Sequence, residues 1–255
     1  MNSSIWAVAA LAAGLAPYAP AVNAAELKVL CALGAKEVME ELGPKFERTS
    51  GHKLTIEFGN LGNISRRIQG GEAADVVILP RQGIDRFVKE GKTAAASVTV
   101  LARGGLGVAV RKGSPKPDIA TPEALKRTLL AAKSITYLDP AGGGVSGTHF
   151  VTVLDRLGIT DEARSKTVLH RNSGEAAAFL VDGRAEIGIN LIQELLPKTG
   201  IDLVGPLPGD LQYSIVYAAA VMAGAGDAAA SKALVEFLRT PDAAIVIKAK
   251  GMEPG

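Results

Sequence analysis

The chain has 255 residues, a formal net charge of only +2, and 47% hydrophobic residues. This composition supports one large domain or two smaller ones with complete cores. It excludes the strong basic excess that is typical of nucleic-acid-binding proteins, so we expect no nucleic-acid partner. The single cysteine, Cys31, excludes an intrachain disulfide and, at the end of an apolar run, is interpreted as a buried structural thiol.

The N-terminal segment, residues 1–24, carries no acidic or basic side chain. Residues 5–16 are apolar, and residues 22–24 offer small side chains at the positions that a signal peptidase reads. The apolar run is too short for a membrane span, which needs roughly 20 residues. A buried N-terminal helix is the alternative, but the charged, patterned chain begins abruptly at Glu26. We therefore predict a signal peptide over 1–24 and an exported protein that is not integral to the membrane.

From Leu27 onwards, strand patterns alternate with helix patterns, which is typical of α/β folds with parallel sheets. The spacing predicts a strand at 27–32, a helix from about Ala35, a strand at 52–58, a short helix at 63–69 and a buried strand at 75–79 that Pro80 closes. Later helices carry end signals of their own. Thr121 and Thr240 each offer an N-cap hydroxyl before a proline, and Gly158 and Gly183 are placed at helix C-termini.

Two stretches, 97–110 and 212–222, are predicted as crossings between two lobes, because the unit between them has strands of its own at 134–138 and 186–190. The predicted fold class is therefore α/β, with two lobes, each a mostly parallel sheet flanked by helices, and a ligand cleft between them.

These crossings divide the chain into a first lobe made from both ends and a second lobe inserted in the middle. We place the first lobe at 25–104 and 217–255, and the second lobe at 105–216.

Ligand loops in such sheets follow the carboxyl ends of strands, where helix N-termini direct N–H groups at an anion. Gly34, after the first strand, either allows close backbone approach to a ligand or forms a plain turn. Asn60 and Asn63 open the short helix and either bind the ligand or cap the helix. Arg81 leaves a buried strand at the expected mouth of the cleft, where its planar guanidinium would bind a carboxylate, unless it is a surface arginine.

The most distinctive segment is 139–149, which joins a strand to a helix through four glycines and two hydroxyls. We predict that Gly144, Ser146 and Thr148 contact an anion there, although a flexible connector is the alternative. The segment is not a P-loop, because the Gly-Lys-Ser/Thr ending is missing. His149 is a candidate acid or base, but a lone histidine early in a helix is more often structural.

Asn190 follows another buried strand and is a further candidate for the cleft, whereas Ser173 is interpreted as a helix N-cap. The three histidines lie far apart without the spacing of metal ligands, so we expect neither a metal site nor a cofactor. No motif for a strong nucleophile is present in the sequence.

These landmarks resemble the type II periplasmic substrate-binding proteins of ABC transporters, in particular the branch that contains the molybdate-binding proteins. The matching segments are 29–42, 58–60, 71–78, 139–140, 186–189 and the final helix at Pro241. The resemblance implies a periplasmic protein, expected to be a monomer, whose lobes close over a small anion and present it to an ABC transporter permease.

The ligand loops depart from the molybdate pattern. Residues 33–35 and 60–63 lack the serines that the branch usually has in its first two loops, and the tyrosine expected shortly after Gly188 is absent. We therefore expect an organic polycarboxylate as the ligand. The resemblance extends to a divergent subgroup that includes a periplasmic aconitate isomerase, so an enzyme on the same scaffold is the alternative. A molybdate or tungstate receptor is a third interpretation.

Overall fold

Two β-sheets, each flanked by helices, form the protein in a computed structural model that describes residues 24–142 and 144–255. This arrangement confirms the predicted two-lobed α/β fold class. The predicted signal peptide, 1–24, lies outside the described residues except for Ala24. In the two described ranges, no helix is both long and apolar enough to cross a membrane.

The secondary structure follows the predicted alternation. In chain order, the strands are β1 (Glu26–Ala32), β2 (Lys53–Gly59), β3 (Val76–Pro80), β4 (Thr99–Gly104), β5 (Leu106–Arg111), β6 (Ile135–Tyr137), β7 (Ile187–Leu191), β8 (Ile201–Pro206), β9 (Ile215–Val221) and β10 (Glu253–Pro254). The helices are α1 (Lys36–Ser50), α2 (Leu61–Gln69), α3 (Arg81–Lys89), α4 (Pro122–Ala131), α5 (Val145–Leu157), α6 (Thr160–Arg164), α7 (Ser173–Val181), α8 (Ile192–Leu195), α9 (Ala228–Phe237) and α10 (Pro241–Ala249).

The two sheets define two lobes. The first lobe holds six strands in the order β10-β4-β9-β3-β1-β2, and the second holds four in the order β6-β7-β5-β8. Parallel pairs are β1–β2, β1–β3 and β6–β7, whereas the other pairs are antiparallel. The sheets are thus mixed, which corrects the expectation of mostly parallel sheets. The reason is that β5 and β9, which are formed largely by the two crossing stretches, run antiparallel to both of their neighbours.

The segments that connect the lobes are held side by side. A Cβ at Gly104 would lie 2.7 Å from the Gln193 amide nitrogen, and one at Gly105 would lie 2.9 Å from that of Gln212, so a glutamine amide packs directly on each glycine. The Gln212 side chain also accepts a hydrogen bond from Leu106 N and donates one to Leu106 O, both at 2.8 Å. The Gln212 side chain, in the second crossing segment, therefore holds the backbone of the first crossing segment in place.

The helix ends are predicted correctly where a capping side chain or a glycine in the left-handed conformation forms them. Thr121 and Thr240 each accept a hydrogen bond from the backbone N–H three residues on, which confirms both N-caps. Gly158 and Gly183 have φ values of 65° and 76°, which confirms both helix ends. Cys31 is fully buried, and burial raises the pKa of its thiol, as expected of a structural cysteine.

Other local predictions are wrong. Asn172, and not Ser173, caps α7, because the Asn172 side chain accepts a hydrogen bond from Glu175 N at 3.0 Å. The edge strands β8 and β10 are also absent from the predicted elements. Both pair at the margin of a sheet, where partner strands rather than local sequence determine the extended conformation.

Candidate functional site

Loops from both lobes meet in a space that we call the interlobe site. The first lobe contributes residues that follow β1 and β2, and the second contributes residues that follow β6 and β7. Two hydrogen bonds join the lobes there. Asn60 Nδ2 donates to Gly142 O at 2.7 Å, and Gln193 Nε2 donates to Gly34 O at 3.2 Å. The loops that the sequence places at the cleft therefore lie against each other.

Gly34 occupies a tight 3₁₀ turn between β1 and α1, where it is buried. A Cβ at this position would lie 2.0 Å from Tyr217 Oη and 3.0 Å from Leu191 Cδ1. Tyr217 is 2% exposed, and burial raises the pKa of its phenol, so the hydroxyl stays protonated. Close backbone approach is thus the reason for glycine here, and the partner is a tyrosine from the distant strand β9.

Asn60 has two contacts. Its Oδ1 accepts a hydrogen bond from Asn63 N at 2.7 Å and caps α2, while its Nδ2 bonds the opposite lobe at Gly142. The capping interpretation of Asn60 therefore holds, and the same side chain also connects the lobes. Asn63 lies in the first turn of α2 with an exposed side chain.

Arg81 is the first residue of α3, directly after the buried strand β3. Its side chain is 47% exposed, and Nε donates to Asp85 Oδ1 at 2.7 Å in an (i, i+4) ion pair. Exposed helical pairs of this kind contribute only about 0.3–0.5 kcal/mol. A carboxylate ligand that displaced Asp85 from the guanidinium would therefore cause only a small loss of protein stability.

The start of α5 is packed tightly on the end of β6. A Cβ at Gly144, the N-cap residue, would lie 2.1 Å from Leu138 Cδ2, and one at Gly147 would lie 2.0 Å from Leu138 O. Thr148 is exposed, and its Oγ1 donates back to Gly144 O at 3.1 Å. Gly143, within the predicted anion loop, lies outside the described residues.

A line of polar side chains runs from α5 to α8 through the interlobe site. Ser146 Oγ donates to Asn190 Oδ1 at 3.4 Å, and Asn190 Nδ2 donates to Glu194 Oε2 at 3.1 Å. Ser146 and Asn190 are 3% and 1% exposed, and the Glu194 carboxyl is half-buried. Burial raises the pKa of Glu194 to about 7. The structure thus brings together two of the predicted residues and adds a carboxyl group.

Gln193 and Glu194 are functional candidates that the sequence reasoning missed. Gln193 is 1% exposed, its Nε2 bonds Gly34 O, and its Oε1 has no hydrogen-bond partner among residues 24–142 and 144–255. A signal was present, because the two are consecutive polar residues within an apolar run that follows a buried strand.

His149 is held by the second crossing segment. Its Nε2 donates to Leu211 O at 2.9 Å, and its ring stacks on Tyr213 with centroids 4.9 Å apart. One ring nitrogen is therefore engaged with the backbone, and the contacts attach α5 to the segment between β8 and β9. These two contacts give His149 a structural role.

The arrangement offers oriented donors to an anion. Helix geometry leaves the first N–H groups of α2 and α5 without intrahelical acceptors, and both N-termini carry partial positive charge. The bond from Asn60 to Gly142 brings the N-terminus of α2 next to the loop that leads into α5. A small anion between them would receive N–H groups from both lobes, as anions at helix N-termini commonly do.

The chain is similar to known proteins over most of its length. Residues 27–253 match the family model described as bacterial extracellular solute-binding protein. An aconitate isomerase from Pseudomonas sp. is 30% identical over 253 residues, which is 97% of this chain and 95% of the relative. A molybdate-binding protein from Azotobacter vinelandii is 32% identical over 248 residues, 96% of this chain and 95% of the relative.

Solved structures show the same fold. The periplasmic molybdate-binding protein of Azotobacter vinelandii superposes with a TM-score of 0.72 at 22% identity, covering 89% of this chain and 98% of that chain. The sulfate-binding protein of Mycobacterium tuberculosis superposes with a TM-score of 0.72 at 19% identity, covering 90% and 87%.

Proposed function

The chain belongs to the bacterial extracellular solute-binding protein family, and we propose that it captures a small organic polycarboxylate between its two lobes. The proposal includes export to the periplasm by the signal peptide 1–24, a monomeric state, and delivery of the ligand to an ABC transporter permease. Closure over the ligand would shift an existing equilibrium between open and closed forms, and the permease would recognise the closed form.

One observation carries this proposal. The Asn60 side chain caps α2 in the first lobe and bonds Gly142 in the loop before α5 in the second lobe. The bond brings the N-terminal end of α2 and the loop before α5 together, and an anion held between them would stabilise the closed form by contacts that neither lobe provides alone.

The polar groups of the interlobe site favour a carboxylate over a tetrahedral oxyanion. Ser146 is the one buried hydroxyl among the predicted ligand residues, and its Oγ is engaged with Asn190. Arg81 lies at the same edge of the first sheet with only an exposed ion pair to release. Its guanidinium fork matches the geometry of a carboxylate, and amide side chains supply the further donors.

A thermal-shift panel tests the ligand class. At a hundredfold excess over Kd, a ligand that binds only the native state adds about 2.7 kcal/mol of stability, which corresponds to a rise in Tm of roughly 5–10 °C for a protein of this size. We expect this rise with citrate or trans-aconitate and none with molybdate, with sodium chloride at matched ionic strength as the control. Stabilisation by molybdate alone would contradict the proposed ligand.

Arg81→Ala is expected to weaken tricarboxylate binding by about tenfold to a hundredfold, because a charged hydrogen bond to a carboxylate contributes roughly 1.5–3 kcal/mol. Calorimetric titration measures the change. The matched control is Arg86→Ala, which removes an equivalent (i, i+4) pair between α3 and its C-cap residue Glu90, five residues further from the strand end. Equal affinities for the two variants would show that Arg81 does not contact the ligand.

Isomerisation of an unsaturated polycarboxylate is the second candidate function. It is favoured by the carboxyl group of Glu194 within the interlobe site, since a binding protein for anions has no need of a negative charge there. The relative named aconitate isomerase adds to this argument. A molybdate or tungstate receptor is a third candidate, which the molybdate-binding relative favours.

A further inference from the structure

We propose that Glu194 is the residue that moves a proton on the bound ligand, so that the interlobe site catalyses a 1,3-proton shift in an unsaturated tricarboxylate. The proposal rests on the capture of a polycarboxylate at the same site. It assigns the role of catalytic residue to a side chain of α8 and the role of positioning residue to Asn190.

The position of Glu194 supports this assignment. The preceding residue, Gln193, bonds Gly34 in the opposite lobe, so α8 lies at the contact between the lobes. Asn190 Nδ2 donates to the Oε2 atom of Glu194 at 3.1 Å and restrains the carboxylate, while Oε1 accepts no hydrogen bond from the described residues. Through Ser146, the same asparagine is linked to the first turn of α5, where the ligand is expected.

The surroundings of Glu194 suit a base that works near neutral pH. The charged or titratable groups that face it are Lys36 and Glu37 at the start of α1, Lys198 beyond α8, and the Tyr217 phenol on β9. Lys198 Nζ lies 3.8 Å from Glu37 Oε1, so this cation is shared with another carboxylate. Burial dominates and raises the pKa of Glu194 to about 7, where a carboxylate is a stronger base than it is in water.

The other candidates for proton transfer are less suited. His149 is held against the segment between β8 and β9 by its stacking on Tyr213 and by the bond from Nε2 to Leu211 O, and no hydrogen bond connects it to Asn190 or Glu194 among the described residues. The phenol of Tyr217 has a pKa raised by burial, which makes it a poor base at neutral pH. Among the described groups of the interlobe site, Glu194 combines basicity, partial exposure and a fixed orientation.

The reaction balances without a co-reactant. The Glu194 carboxylate removes a proton from the methylene carbon next to the double bond, and the C–H electron pair becomes an allylic carbanion stabilised by the adjacent carboxylates. The protonated carboxyl then returns the proton to the far end of the allylic system, so the double bond moves by one carbon. Cis and trans isomers of a tricarboxylate such as aconitate interconvert by this route, with no net oxidation and with the base regenerated.

Proton NMR of the mature protein with trans-aconitate, in D2O, tests the proposal directly. We expect conversion to the cis isomer, with solvent deuterium appearing at the methylene and vinyl positions whenever the protonated Glu194 carboxyl exchanges with D2O before it returns the proton. Glu194→Gln should lower kcat by at least about 100-fold, the usual contribution of a general acid–base group, while the calorimetric Kd should stay the same or decrease, because the variant removes a negative charge beside the anionic ligand. Glutamine keeps an oxygen for the bond from Asn190, so the variant should fold.

The control is Glu162→Gln, which neutralises an exposed glutamate on α6 and should leave kcat unchanged. In the unmodified protein, kcat should fall as the pH decreases through about 7, because the protonated carboxyl cannot accept the proton. Full activity of Glu194→Gln would overturn the assignment. Calorimetric binding without isomerisation or deuterium uptake would overturn the catalytic role alone, whereas absence of tricarboxylate binding would overturn the proposed capture as well.

Discussion

Asn190→Asp should weaken tricarboxylate binding by about 100-fold at pH 8. Asn190 is 1% exposed and lies between Ser146 and Glu194. The replacement preserves the shape of the side chain but places a negative charge beside Glu194. Repulsion between this new charge and a ligand carboxylate roughly 5 Å away, at an effective dielectric constant of about 20, is about 3 kcal/mol, which corresponds to roughly two decades in Kd.

The loss should also depend on pH in a defined direction. Two adjacent carboxyl groups share a proton as the pH falls, because both cannot ionise freely at close range. Calorimetry at pH 8 and pH 5 should therefore show a smaller loss at pH 5. Gln69→Glu adds the same charge at the exposed C-terminal end of α2 and should change Kd by less than about twofold, since exposed charges are screened. An unchanged Kd for Asn190→Asp at pH 8 would place the ligand elsewhere.

Gly147→Ala should lower the free energy of unfolding by about 2 kcal/mol. The added Cβ would lie 2.0 Å from Leu138 O and 2.9 Å from Leu138 C, and these are backbone atoms that cannot rotate away. Either α5 or the end of β6 must shift. Overpacking of this kind destabilises by about 1–3 kcal/mol or more, and the better helix propensity of alanine offsets up to about 1 kcal/mol of it.

Urea denaturation measures this effect, and Gly142→Ala is the matched control. A Cβ at Gly142 meets no atom within 4 Å, and its backbone does not adopt a positive φ, so its stability should change by less than about 0.5 kcal/mol. Because Gly147 sets the position of the α5 N-terminus, its alanine variant should also bind the tricarboxylate less tightly. Equal stability of the two variants would show that α5 moves freely relative to β6.

Some of these features could be predicted because their causes are local. The caps at Thr121 and Thr240 need only a hydroxyl and an N–H three residues apart. The pairing of Arg81 with Asp85 is likewise an (i, i+4) relation that the sequence contains. The position of Arg81 directly after a buried strand could be predicted from the sequence. The orientation of the Arg81 side chain depends on its ion pair with Asp85.

The rest depends on contacts between distant parts of the chain. Ser146 and Asn190 are 44 residues apart, and each could be proposed only separately from its strand end. Glu194 becomes basic because the lobes bury it, and Gly34 is required because Tyr217 of β9 lies against it. Neither cause is visible in a local pattern. The mixed strand directions have the same origin, because they follow from the return of the chain at the two crossings.

Hydrogen–deuterium exchange with saturating trans-aconitate tests the central claim most directly, because it reports on both lobes in one measurement. The account predicts slower amide exchange at 33–36 and 60–63 in the first lobe together with 144–148 in the second, and no such protection with molybdate at the same concentration. Protection confined to one lobe, or protection by molybdate and not by the tricarboxylate, would contradict the capture of a polycarboxylate between the lobes.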